Sequence, residues 1–338
     1  MASRGIIGRM GHIAWWRYVH WVHPLADRLA SRWGRPSRMI RWPIPTLVPF
    51  RRRRLDVARG EALGDLVMCT PAFRELKRRN PNCYLTLYTK QAAVAGTCPY
   101  IDEIRPTEEA PPDAIWMDYE RVVHFNRRPD RHLAQIMGDS LGLDVQDVRP
   151  ACEINPAEVA RFREAWRELP RPHVVIVRKG GHYTPNKNWP DEYWEELIDR
   201  LLSRGTVIEV GVMALERRPR GVSNYVDLFG RTTLPGLMAA IAAADLHVAP
   251  DTGTVHLAAA AGVPSVVIYG GFLHPASTEY PGNISLYSPV ECAPCWLTTP
   301  CPHGKKCLHQ ITPDQVEAAV SEITSRVVGQ KTSITSAG

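Results

Sequence analysis

Residues 245–270 read DLHVAPDTGTVHLAAAAGVPSVVIYG, a pattern typical of a strand, a tight turn, a short helix and a second strand. Leu246–Ala249 and Ser265–Tyr269 are short apolar runs of the kind found in parallel strands buried on both faces. The alanine-rich segment between them favours a helix. Gly262 is suited to end that helix in a left-handed conformation, with Pro264 just beyond it. The pattern predicts a βαβ unit in a parallel sheet, and therefore an α/β fold.

Four candidate site residues lie in the turn of this unit and at the start of its helix: Asp251, Thr252, Gly253 and His256. The turn after the first strand of a βαβ unit lies at the carboxyl edge of the sheet, where such sheets bind ligands. The amides that open the helix attract anions. We therefore predict an anion site, for a group such as a pyrophosphate. The alternative is that Asp251 and Thr252 only cap the helix, although capping requires neither the glycine nor the histidine.

Length and composition limit the classes of protein that the chain can be. Its 338 residues suffice for about two domains, and its 44% hydrophobic and 22% charged residues are ordinary for a soluble globular protein. The sequence contains no run of about 18 apolar residues that would predict a transmembrane helix. The N-terminus lacks the pattern of a signal peptide. We expect a cytoplasmic protein.

The basic residues are concentrated in a Trp/Arg-rich extension, residues 1–54. Residues 1–59 contain 13 Arg, no Lys and two acids (net +11), and the remainder of the chain has a net charge of −5. Five of the ten tryptophans also lie in the extension. A weakly helical segment that mixes Trp and Arg suits an anionic membrane surface. The alternative is an arm that packs on the body or on a neighbouring subunit. Nucleic-acid binding is disfavoured because no reading module accompanies the extension.

The first α/β half spans residues 55–155 and opens with a short apolar strand candidate. A glycine-containing loop follows, and Asp65 in that loop is a candidate general base or, alternatively, a helix cap. Thr70 and Pro71 are expected to be the N-cap and the first residue of the next helix. Val122–Phe125 reads as another buried strand. The loop has neither the Walker spacing nor the dinucleotide-binding glycine pattern, which argues against both of these nucleotide sites.

The second α/β half spans residues 156–312. Its first strand, Val174–Val177, is followed by a loop in which Thr184 and Lys187 offer hydrogen-bond donors to phosphate oxygens. Glu216, in a later loop, could hold a ribose diol. The alternative for Glu216 is a solvated loop carboxylate without a ligand.

Four cysteines near the C-terminus have the spacing C-x2-C-x5-C-x5-C: Cys292, Cys295, Cys301 and Cys307. Four thiolates within sixteen residues can close a tetrahedral metal site, with zinc as the default and iron as the other candidate. Such a site has no open position, so we expect it to be structural. The alternative is four free or paired thiols.

Three motifs together resemble glycosyltransferase family 9, the bacterial heptosyltransferases. They are R-G-x-x-L-G-D-L-V-x-x-T-P-A-F-R-E-L-K at residues 59–77, K-N-W-P-D-E-Y-W at 187–194 and D-T-G-T-V-H-L-A-A-A-A-G-V-P at 251–264. The resemblance covers about residues 55–328. It implies a GT-B fold, in which two Rossmann-like domains face each other across a cleft. It also implies an ADP-heptose-like donor and inverting transfer without a catalytic metal.

The resemblance assigns a role to each part of the chain. It implies an N-terminal acceptor domain at 55–155, a C-terminal nucleotide-sugar domain at 156–312, a final helix at 313–328 that crosses back to the first domain, and a flexible tail at 329–338. Asp65 matches the catalytic aspartate and Lys187 the lysine that contacts the donor phosphates. The Asp251–His256 segment matches the donor-binding motif, and Glu216 a ribose-binding acid.

The resemblance also indicates partners and a location. The acceptor would be a lipopolysaccharide core sugar or a protein hydroxyl, and the extension could place the enzyme at the inner face of the inner membrane. Cysteine clusters occur in a subset of the family that includes the iron-binding, oligomeric autotransporter heptosyltransferases. The loop Gly270–His274 departs from the Gly-Pro-Thr that often follows the last strand. The alternatives are a non-catalytic assembly protein that keeps the fold and, third, a sugar-nucleotide epimerase of the same fold.

Overall fold

The structure is a computed structural model that describes residues 54–60, 62–125, 130–181, 183–212 and 219–335. The predictions for the basic extension, for Glu216 and for the last three residues of the tail therefore lie outside the described residues. Within the described ranges, no helix combines the length and apolar character that a membrane span needs.

The first half contains a four-stranded parallel sheet in the order β3-β2-β1-β4. Its strands are β1 (Arg54–Ala58), β2 (Tyr84–Tyr88), β3 (Glu103–Arg105) and β4 (Ile115–Trp116). Its helices are α1 (Leu63–Arg79), α2 (Ala92–Ala95), α3 (Glu120–Phe125) and α4 (Leu133–Asp139).

The second half contains a six-stranded parallel sheet in the order β10-β9-β8-β5-β6-β7. Its strands are β5 (His173–Ile176), β6 (Thr206–Glu209), β7 (Tyr225–Asp227), β8 (Leu246–Pro250), β9 (Ser265–Gly270) and β10 (Ile284–Tyr287). Its helices are α5 (Pro156–Ala165), α6 (Asp191–Leu202), α7 (Leu234–Ala243), α8 (Gly253–Ala261), α9 (Lys306–His309) and α10 (Pro313–Thr335).

The βαβ unit predicted from residues 245–270 is confirmed as β8, α8 and β9. Every residue of both strands is buried, which explains their continuous apolar character. Gly262 ends α8 with φ of 69°, a conformation that residues with a Cβ rarely adopt. The structure confirms the α/β fold, with two Rossmann-like parallel sheets that face each other across a cleft.

In each half of the chain, the first strand lies next to the fourth strand of that half. The second and third strands lie on the other side of the first strand, so the chain order reverses there. This reversal is the topological switch point, where parallel sheets open a crevice at the carboxyl ends of their strands. The switch points lie between β1 and β4 and between β5 and β8. We therefore expect the functional residues of each half just after these strands.

Helix α1 begins earlier than the sequence predicts. It starts at Leu63, and Pro71 lies inside it rather than at its first position. A proline within a helix leaves the carbonyl four residues before it without its usual partner. Here that carbonyl belongs to Val67, and the hydroxyl of Thr70 donates to it at 2.7 Å. This local replacement lets the helix continue, so Asp65 lies in its first turn and not in a loop.

The prediction of a strand at Val122–Phe125 is wrong, because these residues belong to helix α3 and the side chain of Val122 is 39% exposed. A run of only four apolar residues does not distinguish a strand from a turn of helix. The strand of this region is β4, six residues earlier.

Helix α10 packs on the second half. Val316, Ala319, Val320 and Ile323 form a stripe at helical spacing that joins the core under α6, β8 and β9. Arg200 on α6 pairs with Asp314 and Glu317 at the start of α10. The predicted return to the first half is therefore not seen over the part of this helix whose side chains are described, residues 313–327.

Candidate active site

The residues predicted to bind an anion meet at the switch point of the second sheet. Asp251 follows β8, and Lys187 lies on the loop that follows β5. The ammonium of Lys187 lies 2.5 Å from one carboxylate oxygen of Asp251, and the hydroxyl of Thr278 donates to the other at 3.1 Å. Burial alone raises the pKa of Asp251, but the charge of Lys187 reverses this effect and leaves the pKa below its usual value. Asp251 therefore stays ionised and holds Lys187 at the N-terminal end of helix α8.

The structure does not support the alternative in which Asp251 and Thr252 only cap this helix. Thr252 occupies the N-cap position, but its side chain makes no capping hydrogen bond. Its hydroxyl lies instead 2.8 Å from the hydroxyl of Thr254. The first amides of α8 thus have no side-chain cap from this residue, which suits a helix end that receives an anion.

Two glycines bring the first half against helix α8. A Cβ added to Gly64, on α1, would lie 2.9 Å from the imidazole of His256 and 3.3 Å from the Cα of Gly253. A Cβ added to Gly253 would lie 3.0 Å from the side chain of Leu63. Helices α1 and α8 therefore meet backbone to backbone, and Asp65, the next residue along α1, is brought beside the start of α8.

His256 lies at this contact, almost fully buried. Its Nδ1 is 2.8 Å from the hydroxyl of Tyr280. Burial lowers its pKa to about 4, although the charges of Asp251 and Asp65 oppose this effect. His256 is therefore neutral near pH 7 and acts as a hydrogen-bonding and packing group, not as a cation.

The first half contributes a cluster of charged side chains around Asp65. Arg59, just after β1, donates to Asp65 at 2.5 Å and forms two hydrogen bonds with the carboxylate of Glu120, just after β4. The guanidinium lies over the ring of Tyr119, whose hydroxyl donates to the second oxygen of Asp65 at 3.2 Å. Both oxygens of Asp65 are thus held, and the cluster occupies the switch point of the first sheet.

An aromatic group lies between the two clusters. Lys187 lies 4.6 Å from the ring centre of Phe272, in the loop that departs from the family pattern, and Tyr183 contacts the edge of the same ring. Tyr183 is 66% exposed. Partial burial raises its pKa, and the charges of Asp65 and Glu120 raise it further, so Tyr183 faces the first-half cluster as well.

Several of these residues were missed as site residues in the sequence analysis. Arg59 is the first letter of the quoted motif at residues 59–77, and its position six residues before Asp65 was the available signal. Tyr119 and Glu120 follow a two-residue strand that the sequence does not reveal, so they had no signal. The same is true of Tyr280, whose contact with His256 joins residues 24 positions apart.

Thr184, predicted as a phosphate donor, has another partner. It is buried, and its hydroxyl donates to the carbonyl of Leu297 in the cysteine-bearing loop. Asn186 donates to the carbonyls of Leu297 and Thr299 and accepts from the amide of Cys301. In this conformation the cysteine-bearing loop is therefore tied to the segment that carries Lys187.

The four predicted metal ligands line one cavity of about 620 Å³, together with Phe272 and His303. Burial raises the pKa of Cys295 and of Cys307, and each is raised further by neighbouring cysteines of the cluster. The chemistry of four sulfurs around one cavity suits zinc or iron. Within the described residues, however, no three His, Cys, Asp or Glu side chains are arranged closely enough to hold a metal ion.

Comparison with known proteins gives a family match. The family model described as glycosyltransferase family 9 (heptosyltransferase) matches residues 122–295, more than half of the 338 residues. A lipopolysaccharide heptosyltransferase 1 of Pseudomonas aeruginosa is 36% identical over 136 residues, which are 38% of this chain and 37% of that protein. The matched region thus covers well under two thirds of the length of this curated relative.

Solved structures share the fold at low sequence identity. A glycosyl transferase family 9 protein from Veillonella parvula is 20% identical, with a TM-score of 0.59 over 80% of this chain and 96% of that one. The dodecameric iron-containing heptosyltransferase TibC, solved with ADP-D-β-D-heptose, is 19% identical, with a TM-score of 0.60 over 82% and 77% of the two chains. Because the family model matches more than half of its sequence, this chain belongs to glycosyltransferase family 9.

Proposed function

We propose that this protein is an inverting glycosyltransferase that moves a heptose, or a related sugar, from an ADP-sugar to a hydroxyl acceptor. The observation that carries the proposal is the Lys187–Asp251 pair at the N-terminal end of helix α8, a helix that packs against the start of α1, which bears Asp65, at the Gly64–Gly253 contact. The family match and the ADP-heptose bound to TibC support the choice of donor. The second half would bind the nucleotide sugar and the first half the acceptor.

In this proposal one cluster stabilises the leaving group and the other activates the acceptor hydroxyl. Lys187 and the N-terminal amides of α8 would stabilise the charge that develops on the departing ADP. Asp65 would take the proton of the acceptor hydroxyl as that oxygen attacks the sugar carbon. The other residues of the donor motif would line the phosphate side, and Glu216 remains a proposed ribose ligand. All of these roles are supplied by protein side chains and amides.

The test is consumption of ADP-, UDP- and GDP-sugars, with lipopolysaccharide that lacks heptose and with protein acceptors offered in parallel. We expect release of ADP from ADP-heptose that depends on acceptor, and no turnover of UDP- or GDP-sugars. Absence of turnover with every donor, despite ADP binding, would favour the alternative of a non-catalytic assembly protein.

The acceptor and the site of action extend this proposal. A lipopolysaccharide core sugar is favoured by the curated relative, and a protein acceptor is the second candidate. The cytoplasmic location stays a prediction, as does a peripheral membrane contact or a homo-oligomer formed through residues 1–54. Comparing full-length protein with a form that begins at residue 55, by liposome flotation and by mass in solution, distinguishes these two roles of the extension.

We further propose that the four cysteines hold a structural zinc or iron ion, which would keep the cysteine-bearing loop in place. The support is their shared cavity and the iron in TibC. A bound ion would favour the thiolate forms of its ligands, and at Cys295 and Cys307 it would oppose the effect of burial, which raises their pKa.

Replacing Cys292 and Cys295 together with serine is expected to remove the metal, measured as moles of metal per mole of chain, and to lower the melting temperature. ADP affinity should fall as well, because Asn186 joins this loop to the segment that bears Lys187. Cys152→Ser, at a half-buried cysteine outside the cluster, is the matched control and should keep its metal. Equal metal content in the double variant and the parent would rule out this site.

A further inference from the structure

Arg59 is a cation that two carboxylates share. Its Nη2 donates to Asp65 at 2.5 Å and to Glu120 at 2.8 Å, and its Nη1 donates to Glu120 at 3.0 Å and to the carbonyl of Met117 at 2.8 Å. Arg59 is only 8% exposed, so its charge is poorly screened by water. The three side chains together carry one net negative charge.

We propose that Arg59 and Glu120 are positioning residues for Asp65: Arg59 fixes the carboxylate in the cleft, and Glu120 offsets the charge of Arg59 so that Asp65 keeps its ability to accept a proton. The inference rests on the proposed role of Asp65 as the base. It gives a role to Glu120, a residue that does not contact Lys187 or Asp251 and does not belong to any of the three sequence motifs.

The physical reason is the opposite effect of the two neighbours on a carboxylate. An arginine next to a carboxylate stabilises its charged form and makes it a weaker base, with an effect of about 1–3 pKa units. A second carboxylate on the same arginine reduces that stabilisation. Desolvation raises the pKa of Glu120, but the hydrogen bond and charge of Arg59 lower it to about 2. Glu120 is therefore a permanent anion at any pH near neutrality.

Four other titratable side chains in the described part of the chain lie close to Asp65, and they are uncharged in the same range. Burial, together with the charges of Asp65 and Glu120, raises the pKa of Tyr119, and similar causes raise that of Tyr183. Burial also raises the pKa of Cys69, one turn along α1, and His256 is neutral above its pKa of about 4. Among the described residues, the charged groups that contact Asp65 between about pH 5 and pH 8 are Arg59 directly and Glu120 through Arg59, and the Lys187–Asp251 ion pair lies beyond His256.

The test is the pH dependence of ADP release from ADP-heptose, with lipopolysaccharide that lacks heptose as acceptor. Glu120→Gln should move the acidic limb of this profile to lower pH by about one unit, because the charge of Arg59 is then no longer offset. The plateau rate should fall about threefold to tenfold, since the base is weaker, and the KM for donor should not change.

Arg59→Met should move the same limb in the opposite direction, because it leaves two carboxylates without their cation. Glu103→Gln is the matched control: Glu103 also pairs with an arginine, Arg54, at 2.7 Å, but it lies on β3 at the sheet edge. Its profile should match that of the parent. If Arg59→Met does not fold, as judged by its melting curve, the pH profile of Glu120→Gln alone tests the inference.

The inference is overturned if folded Glu120→Gln protein has an unmoved acidic limb, or if both variants shift the limb in the same direction. Failure of the proposed function gives a different result: the parent itself would show no acidic limb, or Asp65→Asn would remain active.

Discussion

Asp65→Ala is expected to reduce transfer about a thousandfold, and Asp65→Asn nearly as much, while ADP binding stays close to that of the parent. Loss of a positioned general base costs about two to four powers of ten in rate. Asp65 contacts Arg59 and Tyr119, and neither of them belongs to the cluster of Lys187, Asp251 and Thr278. The measurements are steady-state ADP release and calorimetric ADP titration of the same preparation.

The fold should survive this change. Arg59 keeps its paired hydrogen bonds with Glu120 when Asp65 is removed, so no buried cation is left without a partner. Asp147→Ala is the control, because Asp147 also forms an ion pair with an arginine of α1, Arg74, but more than two turns from Asp65 along that helix. Full activity in Asp65→Ala would show that another group takes the proton.

Lys187→Ala is the second change with a large expected effect: about a tenfold to hundredfold loss in ADP affinity and a lower rate. A charged hydrogen bond contributes about 1.5–3 kcal/mol, which corresponds to that range of affinity. The loss also leaves Asp251, only 5% exposed, as an anion beside the anionic phosphates. Calorimetric titration with ADP measures the effect without the need for an acceptor.

Two comparisons make this result specific. Lys179 lies on the same loop and pairs with Asp191 at 3.1 Å, so Lys179→Ala removes one positive charge from the loop but not from the site. It should change ADP affinity little. Adding Asp251→Asn to Lys187→Ala should restore part of the affinity, because the unpaired carboxylate is gone. If Lys187→Ala binds ADP as the parent does, the Lys187–Asp251 pair is structural only.

Both expected losses come from one arrangement that is repeated in the two halves. Each switch point holds a cation and a carboxylate that follow two adjacent strands in the chain: Arg59 with Glu120 in the first sheet, Lys187 with Asp251 in the second. Glycines at positions 64 and 253 let the two halves approach closely between these pairs. Neither the pairing nor the approach is visible as a spacing in the sequence.

Local patterns were sufficient where one segment makes its own contacts. The β8–α8–β9 unit has its apolar strand segments, its alanine-rich helix and its left-handed glycine within 26 residues. The structure contains all three features as predicted. The start of α1 was misplaced because a proline in the helix is accommodated by a side-chain hydrogen bond from Thr70. That bond depends on a rotamer, which propensity rules do not include.

The sequence by itself determined the fold class, the order of the two halves and the residue types at the turn between β8 and α8, because hydrophobic period and turn chemistry are local properties. Tertiary structure alone decided which side chains meet. It gave Asp65 its two hydrogen-bonded neighbours, gave Lys187 its carboxylate, and directed Thr184 towards the cysteine-bearing loop. Thr184 and Leu297 are 113 residues apart, and Lys187 and Asp251 are 64 residues apart. The second pair meets because β5 and β8 are neighbours at the switch point of the sheet.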